Sequence, residues 1–167
     1  MKFISMAVLV LWLGSIAYSG PLYAVDKNDA APAFTLPLLQ EGADLSLADF
    51  KGKLVYLDFW ASWCKPCLTS FPKLEALQNK YKGQGLEIIA INLDQKKHKA
   101  LEFIAKNPVS YTLLYDESTS VAQAYNVQAM PSSYFIDRKG TVRLIHRGFR
   151  TGDEKQIEKA ILALLNE

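Results

Sequence analysis

The chain has 167 residues, 50% of them hydrophobic and 22% charged, with a formal net charge of +2. That length and apolar content suit one globular domain with a substantial core. Lysine and arginine number 19 against 17 aspartates and glutamates, a balance that argues against a nucleic-acid partner. The densest basic group, Lys96, Lys97 and Lys99 around His98, reads as a solvated helix face.

The amino terminus reads apart from the rest. Lys2 supplies a positive charge, positions 3–13 are apolar except for Ser5, and Gly14, Ser19, Gly20 and Pro21 break the run before Ala24. This is the order of an export signal, so residues 1–24 are expected to be a signal peptide cut after Ala24. An uncleaved anchor is the rival, because the apolar stretch approaches the ~20 residues that span a bilayer. Residues 25–31 read as a polar linker and 32–167 as the folded domain.

Phe34, Leu36 and Leu38 alternate with other side chains, Gln40-Glu41-Gly42-Ala43 reads as a turn, and Leu45-Ser46-Leu47 alternates again. The pattern predicts a β-hairpin, followed by a helical turn over 46–51 that Gly52 ends. Residues 54–60 form an apolar run broken only by Asp58, a buried strand. Leu68, Phe71, Leu74, Leu77 and Tyr81 predict a helix over 68–81, kinked at Pro72 and stopped by Gly83 and Gly85. Further on, strands are predicted over 86–93, 111–115, 132–136 and 142–146, with a turn at 137–140, and helices over 99–106 and 118–125. Thr151-Gly152-Asp153-Glu154 reads as a capping box opening a last helix, whose stripe is Ile157, Ala160, Ile161, Leu164 and Leu165. The strand–helix–strand units imply parallel pairing with right-handed crossovers, and the last two strands a hairpin. The fold class is α/β, a mixed central sheet with helices on both faces.

Trp63-Cys64-Lys65-Pro66-Cys67 carries the chain's two cysteines at a strand-to-helix junction. The unpaired N–H groups and dipole of a helix start favour a thiolate on the first sulfur, so Cys64 is the expected nucleophile, with Lys65 adding a modest positive charge. Cys67, one turn on and more shielded, is the expected resolving thiol, and Pro66 fixes the backbone of the first turn. A purely structural disulfide is the plain alternative, but closing so small a loop removes little unfolded-state entropy. Zinc would need further ligands, and His98 and His146 have no ligand-like spacing to the pair; His146 reads as a strand residue. Asp58 lies on the same strand face as Trp60 by alternation. Burial there would raise its pKa and let it take the proton of Cys67; a hydrogen-bonded structural aspartate is the alternative. Trp60 reads as core and Trp63 as a partly exposed apolar contact. Pro131 opens the strand over 132–136; a cis bond there would hold a backbone edge beside the cysteines, though trans is commoner on frequency alone.

The segment from Asp58 through Trp60-Ala61-Ser62-Trp63 to Cys67, the helical Pro72, and Met130-Pro131-Ser132-Ser133-Tyr134-Phe135-Ile136-Asp137 resemble the thioredoxin superfamily. Ala31-Pro32-Ala33-Phe34-Thr35-Leu36, the stretch over 45–53 and the insert over 95–115 are similar to its exported TlpA/ResA-like thiol-disulfide oxidoreductases, the AhpC/TSA-redoxin-type branch. The resemblance spans residues 31–167. It implies a thioredoxin fold with an extra N-terminal β-hairpin, dithiol–disulfide exchange through Cys64 and Cys67 with no bound cofactor or metal, and Asp58 as proton acceptor. It further implies a cis peptide at Pro131 and a partner groove formed by Trp63, Pro66, Met130, Pro131 and the loop at Gly148. Expected partners are protein thiols and disulfides, with electrons from a membrane thiol carrier. The expected role is that of a monomeric reductant in the periplasm or another extracytoplasmic space, serving cytochrome c maturation or similar targets. A copper-binding metallochaperone on the same fold and a non-catalytic adaptor are the alternatives. Two departures stand out. Asp58 takes the place of an Asn common in the TlpA-like branch, and Ala90, two residues before Asn92, takes that of a lysine frequent in thioredoxins, so an Asp–Lys proton relay lacks its lysine.

Overall fold

The computed structural model describes residues 25–167; the expected signal segment, residues 1–24, lies outside the described residues. Strands β1 (Thr35–Leu36) and β2 (Leu45–Ser46) pair antiparallel as the expected hairpin. A 3-10 turn, Leu47–Phe50, follows, with Ser46 N–H and Oγ both bound to the Asp49 carboxylate. The main elements are then β3 (Leu54–Trp60), α1 (Lys65–Tyr81), β4 (Leu86–Asn92), α2 (Lys97–Lys106), β5 (Thr112–Tyr115), α3 (Ser120–Ala124), β6 (Ser132–Ile136), β7 (Val142–Arg147) and α4 (Asp153–Leu165). Five strands form one sheet in the order β5-β4-β3-β6-β7. β3 runs parallel to β4 and antiparallel to β6, so the central strand is paired along both edges.

Alternation along β3 sorts the core into two layers. Leu54, Tyr56 and Trp60 pack with Phe71, Leu74 and Leu77 of α1, Ala100 and Ile104 of α2, and Ile157, Ile161 and Leu164 of α4. Val55, Leu57 and Phe59 pack on the opposite face with Phe34 and Leu36 of the hairpin and Val121 and Ala122 of α3. The sheet is mixed and covered on both faces, the thioredoxin fold with its N-terminal hairpin.

Several boundaries differ from the sequence expectation for identifiable reasons. α1 begins at Lys65 rather than 68, because Cys64 itself caps it and Pro66 fits the first turn, where a missing N–H costs nothing. The helix continues through Pro72 to Tyr81. Gly85, at φ 100°, ends the following 3-10 turn in the left-handed region that glycine reaches without strain. Residues 25–31 are laid against the β6–β7 hairpin instead of standing free. Asn28 N–H donates to Val142 O, Ala31 N–H to Gly140 O, and Val142 N–H to Asp29 O. The capping box at 151–154 does not form. Gly152 caps α4 without a side chain, while Asp153 accepts from Arg150 N–H and Glu154 from Gly152 N–H. No helix among the described residues is long and apolar enough to cross a membrane.

Leu74 is fully buried between α1 and the sheet. Leu74→Ala is expected to lower unfolding free energy by about 2–5 kcal/mol, read as a lower denaturant midpoint with an unchanged slope.

Candidate active site

β3 ends at Trp60 and α1 starts at Lys65, which leaves four residues to turn the chain over the end of the sheet. That turn is anchored from the neighbouring strand. The Asp94 carboxylate, just past β4, accepts from Ser62 N–H at 2.9 Å, Ser62 Oγ–H at 2.9 Å and Asn92 Nδ2–H at 2.8 Å. Asn92 Oδ1 accepts in return from Asp94 N–H, and Tyr115 O–H donates to Asp94 O. Neither Asp94 nor Ser62 stood out in the sequence, since Asp and Ser after strands are common turn residues.

Cys64 and Cys67 are joined in a disulfide, with Cα atoms 5.3 Å apart. Cys64 occupies the cap position, and its Sγ accepts from Cys67 N–H at 3.3 Å. Cys64 keeps 5% exposure and Cys67 none, while the adjoining Trp63 is 67% exposed. Pro66 sits in the first turn of α1. The Met130–Pro131 peptide is cis, and Pro131 O accepts from Gly148 N–H at 2.7 Å, which ties the loop after β7 to the start of β6. Met130 packs against the same core layer as both cysteines. Trp60, by contrast, is wholly interior, against Phe71 and Phe103.

Asp58 is 1% exposed. Alternation directs it to the layer that holds Tyr56, Trp60 and both cysteines. Its Oδ1 accepts from Ser133 Oγ–H at 2.7 Å, and Tyr56 O–H donates to Ser133 Oγ at 2.8 Å. Burial raises the Asp58 pKa from 3.8 to about 7, with the Ser133 hydrogen bond opposing the rise. Ala90 stands directly beside Asp58 on β4, so no cation approaches from that register position. Ser133 was legible only as a serine in a buried strand; that it faces Asp58 follows from the β3–β6 register.

Among the described residues no group of three or more His, Cys, Asp or Glu side chains is placed to hold a metal. His98 lies in α2, away from the cysteines in sequence and element. His146, in β7, has Nε2 3.3 Å from Asp153 Oδ2.

The Asp58 pKa implies a pH dependence of stability. Unfolded Asp58 loses its proton near 3.8 but the folded one retains it to about 7. Over that window the native state binds more protons, so its stability falls as pH rises. Asp58→Asn is expected to unfold at a higher urea concentration than the parent at pH 8, by on the order of 2–4 kcal/mol. The difference should shrink towards pH 4, as unfolding curves across pH will show.

A family model for Redoxin matches residues 26–161. Thiol-disulfide oxidoreductase ResA of Geobacillus kaustophilus is 34% identical over 89% of this chain and 88% of its own length. ResA of Bacillus subtilis is 31% identical over 87% of this chain and 83% of its own. Among solved structures, that of a Chlorobium tepidum protein assigned as thiol:disulfide interchange protein DsbE superposes with a TM-score of 0.82 at 44% identity, covering 85% of this chain and 99% of that one. Matches of this extent, on a fold that places a cysteine pair at a strand-to-helix junction, mean that the chain belongs to the Redoxin family and, within it, to the ResA-like thiol-disulfide oxidoreductases.

Proposed function

We propose that this thiol-disulfide oxidoreductase acts outside the cytoplasm as a reductant of protein disulfides, with Cys64 as nucleophile, Cys67 as resolving thiol and Asp58 as proton acceptor. The Cys64 thiolate attacks one sulfur of a partner's disulfide, forming a mixed disulfide and releasing the partner's other sulfur as a thiolate that takes a proton from water. Cys67 S–H passes its proton to the Asp58 carboxylate and attacks Cys64 Sγ. The bond between Cys64 and the partner breaks, and its electron pair leaves with the partner's second thiolate. The enzyme's dithiol has become a disulfide and the partner's disulfide two thiols. The electron pair is carried by the sulfurs, so the exchange needs no bound cofactor.

The observation that carries this reading is the placing of a near-neutral buried carboxyl in the same layer as a capped cysteine pair. An acid that titrates near pH 7 is matched to taking a thiol proton at neutral pH. Charge supports the direction. A carboxylate confined in that layer raises the cost of a second negative charge, so it disfavours the thiolate and with it the reduced form. Trp63, Pro66, Met130, Pro131 and Gly148 supply the groove for a partner segment. The electron donor is a membrane thiol carrier, the substrates are exported proteins with wrongly oxidised cysteines, cytochrome c precursors among them, and the enzyme works as a monomer.

Cys64→Ser is expected to abolish reduction of insulin disulfides, and Cys67→Ser to accumulate mixed disulfides with protein partners on non-reducing gels. Equilibration against a glutathione series is expected to give a potential near about −270 mV, the thioredoxin range; a value near about −120 mV would reverse the assigned direction.

A further inference from the structure

The polar atoms around Asp58 are ordered as a one-way donor chain. Tyr56 and Ser133 each carry a single hydroxyl proton. The Tyr56 proton is committed to Ser133 Oγ at 2.8 Å, and the Ser133 proton to Asp58 Oδ1 at 2.7 Å. All three side chains are 1% exposed, so water does not compete for these bonds. Strand register builds the arrangement: Asp58 lies directly opposite Ser133, and Tyr56 opposite Phe135, on neighbouring β3 and β6. The result is an asymmetric carboxylate. Oδ1 receives a donor polarised by a second donor, while the buried Oδ2 has no hydrogen-bond partner among the described residues.

We propose that Ser133, oriented by Tyr56, is a positioning residue that fixes the Asp58 carboxylate so that Oδ2 alone is left to take the Cys67 proton. This rests on the reading of Asp58 as proton acceptor and adds the device that makes one of its oxygens the base. A hydroxyl of Ser133 directed at Oδ1 holds the carboxyl plane, stabilises the ionised form, and keeps the arriving proton off Oδ1.

The groups facing this cluster reinforce the point. Cys67 of α1 shares the core layer of Tyr56, and β4 contributes the uncharged Ala90 directly beside Asp58. Tyr111, ahead of β5, feels the charge of Asp58, and its own buried hydroxyl has no hydrogen-bond partner among the described residues; Glu75 of α1 acts on Tyr111, and Asp153 of α4 acts on Tyr56. The carboxylates that act on these tyrosines are acidic neighbours, and among the described residues the Ser133 hydroxyl donates to Asp58 and favours its ionised form. Burial first, and the Asp58 charge next, hold Tyr56 and Tyr111 above the ordinary phenol range, so Tyr56 stays a donor throughout the titration of Asp58.

The resolving step can be isolated by mixing reduced protein with dithiobis(nitrobenzoate). A first nitrobenzoate thiolate leaves as Cys64 forms the mixed disulfide, and a second leaves as Cys67 attacks; the rate of the second phase is followed from pH 5 to 9. In the parent protein this rate rises through the Asp58 titration. Ser133→Ala is expected to move the midpoint upward and to slow the second phase at pH 6 by roughly tenfold. Ser133→Thr, which retains the hydroxyl, restores the parent profile. Tyr56→Phe moves the midpoint in the same direction by less, and adds nothing in the Ser133→Ala background, because the chain is already cut. Asp58→Asn separates this inference from the reading beneath it. If Asp58→Asn flattens the profile while Ser133→Ala leaves it where the parent has it, the Ser133 assignment is wrong and the Asp58 role stands. If Asp58→Asn leaves the profile intact, both fall.

Discussion

Everything near the active site is arranged around one costly choice, an aspartate in the middle of the central strand. β3 is paired on both edges and covered on both faces, so its side chains have nowhere to reach solvent. A carboxylate there loses its hydration and gains, among the described residues, the Ser133 hydroxyl in its place, so folding at neutral pH bears a penalty. The rest of the core absorbs it. Trp60, Phe71, Phe103 and Tyr111 form a run of edge-on and tilted aromatic contacts in the same layer, with centroids 4.8–5.8 Å apart. Such contacts make the layer that covers this face of β3 dense.

The same strand delivers the sulfurs. Because β3 stops at Trp60 and α1 starts at Lys65, the cysteine pair is fixed by two regular elements and not by a free loop. The junction is held laterally as well, through Ser62 to Asp94 and from there to Asn92 and Tyr115. Strands β4 and β5 thereby hold the turn on which Cys64 sits, while β6 holds the carboxylate through Ser133. Sulfur and acid are positioned from opposite sides of β3, so their relative placement is set by sheet geometry.

The elements that sequence alone made legible were those whose pattern is one-dimensional. Alternation and apolar runs located β3 and β6 to the residue, and glycine placed the end of α1. The cysteine pair announced its chemistry by spacing and by what flanked it. Less legible were the features that depend on which residues meet across the fold. Ser133 is an ordinary small residue until register sets it opposite Asp58, and Asp94 is an ordinary turn residue until it receives three donors. The 151–154 segment misled for a related reason. Its capping pattern is present in the sequence, but Asp153 and Glu154 find nearer backbone donors at Arg150 and Gly152, so local competition decides the outcome. Residues 25–31 look like a linker by polarity, yet their hydrogen bonds to β7 and its turn are backbone bonds that side-chain composition does not encode.

The two sides of the proposed partner groove differ in kind, and on that proposal the difference bears on what the enzyme would accept. On one side Trp63 projects into solvent at 67% exposure, with Leu68 also exposed one turn into α1. These are apolar surfaces without hydrogen-bonding demands, and they suit partners of varied sequence. On the other side the segment at Met130–Pro131 is tied down. Pro131 O is engaged by Gly148 N–H, and Ser132 Oγ–H donates to Ala129 O. A partner segment crossing the proposed groove would therefore meet a fixed backbone edge and an adaptable aromatic one. Selection by shape and backbone at the rigid edge, with tolerance at the other, is what such a groove would apply to protein disulfides.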